Sequence, residues 1–351
     1  MLTDISHFLH KRFLWLLIAS YVVASFCPTF GLWIRGVSFG EIGVFHEKTS
    51  VSLPMAMLAF LLFNAGLGVQ TSQLHKLVRS PLVLIAGLTA NLLVPLAFIW
   101  CVFQTMQLWH NPDEVQSILL GLALIVAMPI AGSSTAWTQN ANGDMALSLA
   151  LVLFSTFLSL VTTPITFDLV GNLATGEYVL ALADLKTKGT GFMLWVVLPS
   201  ILGIIGRAIM GEARIGAVKP FLKLVNSLNL LLLVYSNASI SLPQTVANPD
   251  WDFLGVILAI VLGMCVLAFS SGWLLAHFLN VDHAQKTSLM FSLGMNNNGT
   301  GLVLASMALA AFPRVMLPII FYNLVQHLVA GYADFVLNRS APPRLPVVAE
   351  A

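Results

Sequence analysis

Ten residues, Ser292 to Gly301, interrupt an apolar stretch that is otherwise long enough to cross a membrane. They read Ser-Leu-Gly-Met-Asn-Asn-Asn-Gly-Thr-Gly, so three carboxamides and three glycines fall where a lipid-facing helix would be apolar. Burying an unpaired amide costs about 2–7 kcal/mol, and the bilayer core holds no water to supply the missing hydrogen bonds. The run therefore predicts an interrupted membrane helix that lines protein or a cavity, which is where transporters place binding sites.

The rest of the chain has the composition of a polytopic membrane protein. Of its 351 residues, 58% are hydrophobic and only 9% are charged. We predict an all-α protein of about ten transmembrane helices, forming a single membrane domain over residues 1–351. Lys11 and Arg12 precede the first helix, but its length and the lack of a good cleavage site favour a retained span over a signal peptide. The predicted spans are 13–34, 53–70, 81–103, 116–139, 145–167, 190–210, 221–240, 252–279, 284–311 and 313–335.

Lysine and arginine positions predict the orientation. With the N-terminus inside, eleven of these residues fall on the inner side and five on the outer side, which favours an inner (plasma) membrane protein with both termini in the cytoplasm. No basic stripe or RNA-binding motif is present, so a nucleic-acid partner is not expected. The inner residues are Lys11, Arg12, Lys76, Arg79, Arg207, Arg214, Lys219, Lys223, Lys286, Arg339 and Arg344, and the outer ones are Arg35, Lys48, Lys186, Lys188 and Arg314.

A hydrophilic connection over residues 171–191 divides the ten spans into five and five. A five-span unit that is repeated once must insert the second time upside down, so we predict inverted repeats over about 13–168 and 190–335. The fourth spans of the two halves are both interrupted, at 129–135 and at 292–301, and the second spans each carry an asparagine, Asn64 and Asn237. Small-residue runs that merely let helices pack closely are the alternative.

No enzyme machinery is visible in the sequence. Cys27, Cys101 and Cys265 lie within separate apolar spans, as small buried hydrophobic residues do. The chain contains no HExxH, CxxC or GxxxxGK[ST] motif, and no acid–base pair or activated nucleophile lies in mid-span. We therefore expect neither catalysis nor a cofactor.

Four motifs together resemble the bile acid:sodium symporter family. Gly294-Met295-Asn296-Asn297-Asn298-Gly299 is similar to the family's G-M-x-N-x-G element in span nine, and the Pro129 to Thr135 run is similar to its broken span four. Gly143 to Ser148, and His327 with Gly331, match further elements. The resemblance implies a panel domain of spans one, two, six and seven, and a core domain of the other six. It further implies that spans four and nine cross at their breaks, with substrate between the domains and two sodium ions behind it. We expect Ser133 to Thr135 to lie beside Asn296 to Asn298 at this crossing.

The resemblance also implies site residues. It places a substrate contact at Asn297, and we expect the neighbouring Asn298, together with Thr135 and His327, to contact a small organic anion. The alternative for the two asparagines is that they only satisfy backbone groups at the crossing. The sodium ligands that the resemblance implies are Asn91, Ser134, Thr135, Ser148, Ser292, Met295 and Asn296.

The chain departs from the family at the sodium ligands. Ser292 stands where the family has a glutamate, and Val152 stands where it has a threonine. Because a carboxylate at the bilayer midplane is what a bound cation neutralises, its loss predicts sodium coupling of reduced stoichiometry. The alternatives are a sodium-independent carrier, or a proton-coupled one with His327 as the proton site. A membrane sensor is a weaker alternative. The sequence does not predict the oligomeric state.

Overall fold

The computed structural model describes residues 12–44, 47–69 and 81–340. Lys11, Lys76, Arg79 and Arg344, four of the basic residues assigned to the inner side, lie outside these ranges, as do both chain termini. The helices are α1 Phe13–Phe26, α2 Thr29–Gly36, α3 Leu53–Leu67, α4 Pro81–Met106, α5 Pro112–Ala127, α6 Ser133–Asn140, α7 Met145–Gly171, α8 Glu177–Ala238, α9 Leu242–Ala247, α10 Trp251–Phe278, α11 His283–Gly294, α12 Asn298–Ala308 and α13 Met316–Ser340, with a 3-10 turn at Pro313–Val315.

The protein is a polytopic membrane protein built from α-helices. Among the described residues, six helical segments are long and apolar enough to cross a membrane, and α1 and α2, which meet at 92°, would make a seventh if counted as one span. The six are Pro81–Met106, Met145–Gly171, Glu177–Gly211, Phe221–Ala238, Trp251–Phe278 and Pro313–Leu337.

A β-hairpin that the sequence analysis did not predict follows α2. Strands β1 (Ser38–Val44) and β2 (Glu47–Ser52) are antiparallel, with Ile42 opposite Thr49 and an irregularity between Ser38 and Glu41. Its β2 strand leads directly into α3. The hairpin is the exception to an otherwise helical fold in the described residues.

The predicted hydrophilic connection over 171–191 is wrong in extent. Helix α8 already begins at Glu177 and continues to Ala238, with a bend at Gly211, where φ is +77°. The charged residues that suggested a loop instead form two ion pairs, one within α8 and one between α8 and α7. Lys188 Nζ lies 2.7 Å from Asp184, one turn earlier, and Lys186 Nζ lies 2.6 Å from Asp168 of α7. These residues form a solvated helical face and not a break in the chain.

The helices pack in two groups. In the first group, α1, α2 and α3 pack on α8. The closest approach is at Gly66 of α3 and Gly203 of α8, where a Cβ atom added to Gly66 would lie 2.1 Å from the carbonyl oxygen of Ser200. Only residues without a side chain let the two backbones come this close.

The second group contains α4 to α7 and α10 to α13. Helix α5 lies at its centre, because all of its residues from Glu114 to Ala127 are buried. An apolar helix that is buried on every side is expected in the interior of a bundle. The two interrupted segments, α5 with α6 and α11 with α12, both belong to this group, and the candidate site lies where they meet.

Candidate substrate and ion site

The two interrupted segments cross at their breaks. Pro129 has no backbone N–H, so the helix cannot continue through it in the regular pattern, and α5 ends at Ala127. Residue Ile130 instead pairs with Asn296 in an isolated antiparallel bridge. Two backbone hydrogen bonds close the bridge, from Ala131 N to Met295 O and from Asn297 N to Pro129 O, both at 2.9 Å.

The predicted neighbours at this crossing are shifted along the chain. We expected residues 133–135 to lie beside 296–298, but the bridge pairs 129–131 with 295–297. The difference has a physical origin at the proline, because the backbone groups available for pairing are those nearest Pro129, whereas Ser133 to Thr135 already belong to α6.

Three side chains from other parts of the chain form hydrogen bonds with the backbone groups that the first break leaves without a helical partner. Asn296 Nδ2 donates to the carbonyl of Ile125 at 3.1 Å, and Thr163 Oγ1 donates to that of Ala127 at 2.7 Å. The N–H of Ile130 donates to Ser155 Oγ at 3.1 Å. The break is therefore stable in a low-dielectric interior, where an orphaned backbone group is costly.

Helix α13 supports the second break. Gln326 Oε1 accepts from the N–H of Asn296 at 3.1 Å, and the Tyr322 hydroxyl donates to the carbonyl of Gly294 at 3.4 Å. Gln326 Nε2 also donates to Asn323 Oδ1, and Asn323 Nδ2 donates to the Tyr21 hydroxyl of α1. Gln326, Ser155 and Thr163 were not among the predicted site residues. Ser155 and Thr163 lie downstream of the Gly143 to Ser148 element that resembles the family, and Gln326 precedes His327, but these positions did not predict which groups they bind.

Four of the predicted sodium ligands carry a buried oxygen atom that has no hydrogen-bond partner among the described residues. Met295 differs, because its carbonyl accepts the bridge hydrogen bond from Ala131. Ser148 Oγ lies 3.3 Å from Thr138 Oγ1, and Thr135 Oγ1 donates to the carbonyl of Gly132 at 2.7 Å. The four unpartnered atoms are Asn91 Oδ1, Ser134 Oγ, Ser292 Oγ and Asn296 Oδ1.

These four ligands lie on different helices around the breaks. Ser134 is on α6 and Ser292 on α11, and both side chains are fully buried. Asn91 of α4 lines a small cavity whose wall includes Met128 and Pro129, the residues of the first break. Asn296 lies in the bridge itself. Ser134 and Ser292 thus lie on helices that adjoin the breaks, and Asn91 lines the cavity at the first break from the α4 side.

The four predicted substrate residues lie on or at the start of three helices, α6, α12 and α13. Asn297 is half-buried, and its Oδ1 accepts from the N–H of Thr300 at 3.3 Å as the N-cap of α12. Asn298 is 1% exposed, and neither of its amide atoms has a hydrogen-bond partner in the part of the chain that the structure describes. Thr135 is half-buried on α6. His327 lies apart from the asparagines in sequence, on α13, with its ring edge-on to Phe13 of α1 at 5.8 Å.

The site carries no formal charge of its own. No charged residue occurs between Glu114 and Asp144 or between Lys286 and Arg314. Helices α6 and α12 both begin at the crossing, so their first backbone N–H groups and the positive ends of their dipoles lie there. Neutral oxygens and helix N-termini are therefore the groups that the crossing offers to a ligand.

A membrane bundle with two interrupted helices that cross at their breaks defines the class of secondary transporters. The sequence profile of the Sodium Bile acid symporter family matches residues 55–248, more than half of the chain, and the protein belongs to this family. It is thus a membrane transport protein of a family of sodium symporters.

Similar proteins extend over most of the chain. The Bacillus subtilis protein YbaS is 25% identical over 288 residues, which are 81% of this chain and 88% of YbaS. The sodium-dependent transporter YocS of the same organism is 26% identical over 313 residues, 87% of this chain and 90% of YocS. The rice chloroplastic protein BASS1, a probable sodium/metabolite cotransporter, is 26% identical over 260 residues, 72% of this chain and 59% of BASS1.

Proposed function

We propose that the protein is a secondary active transporter that moves a small organic anion together with at most one sodium ion. The observation that carries this proposal is the crossing at Ile130 and Asn296, around which buried side-chain oxygens lack partners. Names of relatives that include sodium-dependent and sodium/metabolite transporters agree with it.

The reduced stoichiometry follows from the chemistry of the proposed ligands. Asn91, Ser134, Ser292 and Asn296 offer neutral oxygens, which can coordinate a hard cation but do not neutralise it. A dehydrated ion in a low-dielectric site without a counter-charge binds weakly, and two such ions would also repel each other. One low-affinity sodium ion is therefore the most that this crossing supports.

The preference for an anion follows from the same charge balance. The crossing holds no carboxylate that would repel an acid, and two helix N-termini begin there. In the proposed site, Asn297, Asn298, Thr135 and His327 contact the substrate. The side-chain amide of Asn298, which has no partner for either polar atom, is the group with most capacity to bind it.

We further propose the inverted five-plus-five repeat of ten spans, with the first helix group as panel and the second as core. Two matched contacts support it. Gly31 of the first span packs against the seventh span at Ser239, and Arg35, just after the first span, donates to Asn237. Gly203 and Arg207 in the sixth span do the same to the second span, with Arg207 bonding the carbonyl of Leu67. Each arginine follows its glycine by one helical turn, as expected of equivalent positions in an internal repeat.

In this topology, both termini lie in the cytoplasm, and the plasma membrane is the proposed location.

A sodium-independent or proton-coupled carrier is the second candidate function. It is favoured by Ser292, which places a hydroxyl where the family has the glutamate shared by both ions. His327, buried at the contact of α13 with α1, is the titratable group available to a proton-coupled cycle at this interface.

One experiment separates these functions. The purified protein is screened by thermal shift against organic acids, with sodium or choline chloride at equal ionic strength, and the acids that stabilise it are then tested for uptake into proteoliposomes. We expect stabilisation by at least one acid, larger in sodium, and uptake driven by a sodium gradient. Uptake that follows a pH gradient and ignores sodium would establish the second candidate. Stabilisation by cations or neutral solutes alone would contradict an organic-anion substrate.

A further inference from the structure

Arg35 at the end of α2 ties three helices together on one side of the crossing. Its Nη1 donates to Oδ1 of Asn237 at the end of α8, at 2.7 Å, and its Nη2 donates to the carbonyl of Ser306 in α12, at 3.3 Å. Asn237 belongs to the first helix group and Ser306 to the second. The guanidinium is therefore a direct polar link between the two groups.

The charge of Arg35 is held by neutral acceptors. The two acceptors that bind it, Asn237 Oδ1 and the Ser306 carbonyl, are both uncharged oxygens. Ser306 lies in the last turn of α12, where carbonyl groups lack helical donors and the helix dipole is negative. The link is thus favourable but weaker than a buried ion pair, so it can form and break at modest energetic cost.

On the side of the crossing where Arg35 lies, α12 packs against α8. Gly299 of α12 faces Leu233 of α8, at 4.0 Å from the position that its Cβ would take. Val303 follows one turn later on the same face and is completely buried, and Ser306 lies another turn beyond. Helix α6, which begins at the other break, is covered less, since Gln139 and Asn140 at its end are exposed. The two helices that begin at the crossing therefore differ in burial, and α12 is more buried than the end of α6.

We propose that Arg35 is a gate residue that holds the transport site closed on the α12 side. This inference rests on the proposed transport function, and it adds that the core moves against the panel during transport. When α12 moves away from α8, the Ser306 carbonyl leaves the guanidinium, while Asn237, which is on the panel with Arg35, remains bonded to it. Loss of the arginine removes a link that exists only in the closed arrangement, so it shifts the equilibrium toward the arrangement open on this side.

Cysteine labelling tests the gate without any substrate. The full chain, with Cys27→Ser, Cys101→Ser and Cys265→Ala, receives Val303→Cys as a probe, and its reaction with a bulky polar maleimide in detergent is timed against the denatured protein. We expect slow labelling of this parent and a rate about tenfold higher or more when Arg35→Gln is added, because hydrogen bonds to a charged group shift equilibria by that order. Arg35→Lys keeps one donor and should lie between them.

The matched control is Arg214→Gln, which removes an exposed arginine from α8 and should leave the labelling rate of the parent unchanged. Monodisperse gel filtration shows that each variant is folded, and Arg35→Lys provides the test should Arg35→Gln aggregate. Equal labelling rates in the parent and in the Arg35 variants would overturn the proposal, as would a parent that labels as fast as the denatured chain. Because no ligand is used, failure of the organic-anion proposal in uptake assays leaves this result intact.

Discussion

The side-chain amide of Asn296 donates to the carbonyl of Ile125 at 3.1 Å and so replaces the backbone donor that Pro129 lacks. This bond also fixes the orientation of the amide, because only its NH2 group can donate. The Oδ1 atom of Asn296 is left buried without a partner, among the proposed ion ligands. One residue thus completes the broken helix and presents an oxygen at the crossing.

Thr163→Val should destabilise the protein without changing its fold. The substitution removes the hydroxyl that donates to the carbonyl of Ala127 and leaves that buried acceptor unpaired, at a cost of about 1–3 kcal/mol. A thermal melt in detergent measures the loss. Thr187→Val is the matched control, because its hydroxyl bonds the carbonyl of Ala183 on an exposed part of α8 and its loss should cost less than about 0.5 kcal/mol. Equal losses in both variants would show that the support of the break by α7 is energetically unimportant.

Two substitutions at Asn297 distinguish substrate contact from helix capping. Asn297→Ala removes both the N-cap of α12 and the amide, whereas Asn297→Ser retains a capping oxygen and removes only the amide. We expect both to reduce uptake into proteoliposomes about tenfold or more, since an amide hydrogen bond to a charged group is lost. Only the alanine variant should lower the melting temperature. Normal uptake by the serine variant would limit Asn297 to its structural role.

Gly66→Ala should disrupt the contact between α3 and α8. The added Cβ would lie 2.1 Å from the Ser200 carbonyl oxygen, which belongs to a backbone that cannot move without separating the two helices. Overpacking of this kind costs about 1–3 kcal/mol or more, and we expect a lower melting temperature and lower yield. Gly216→Ala in α8, where no atom lies within 4 Å, should instead leave the protein as stable or slightly more stable, because alanine favours the helix. Unchanged stability in both variants would contradict the close packing of these backbones.

Local chemistry made the breaks predictable from the sequence. Pro129 is followed by Gly132, and three asparagines stand beside glycines, and both segments are interrupted where these residues occur. A proline alone is not enough, because Pro95 and Pro164 lie inside the continuous helices α4 and α7. The assignment of Ser134 and Ser292 as ion ligands rests on the family motif and stays a prediction. What these predictions share is that each depends on residues within one short stretch of chain.

Features that depend on distant residues were not predictable. The acceptor and donor roles of Ser155 and Gln326 arise from α7 and α13 packing against the breaks, and a polar residue in an apolar helix does not reveal its partner. The length of α8 was missed because Lys186 and Lys188 find carboxylates and remain helical. The predicted partner of Asn296 on the first broken span was a few residues away from Ile130, because the tertiary contact between the two spans decides which residues pair.

Restoring the missing charge at Ser292 tests the proposed reduction in sodium stoichiometry. Ser292 is fully buried, and its hydroxyl has no partner. If Asn91, Ser134 and Asn296 still form a cage, the carboxylate of Ser292→Glu supplies the counter-charge for a bound cation, and sodium should bind more tightly. In a site that cannot hold the ion, the buried carboxylate would be protonated or would destabilise the protein.

The measurement is sodium-dependent thermal stabilisation of both proteins, with choline replacing sodium at fixed ionic strength. We expect weak, first-order stabilisation of the natural protein and stabilisation at about tenfold lower sodium in Ser292→Glu, as a restored charge pair would give. Ser292→Gln, of equal size but without charge, is the control and should show no gain. Steep, greater-than-first-order sodium dependence in the natural protein would mean that two ions bind without the glutamate. In that case, the neutral oxygens at the crossing would suffice for full coupling, and the serine would not explain any difference in stoichiometry.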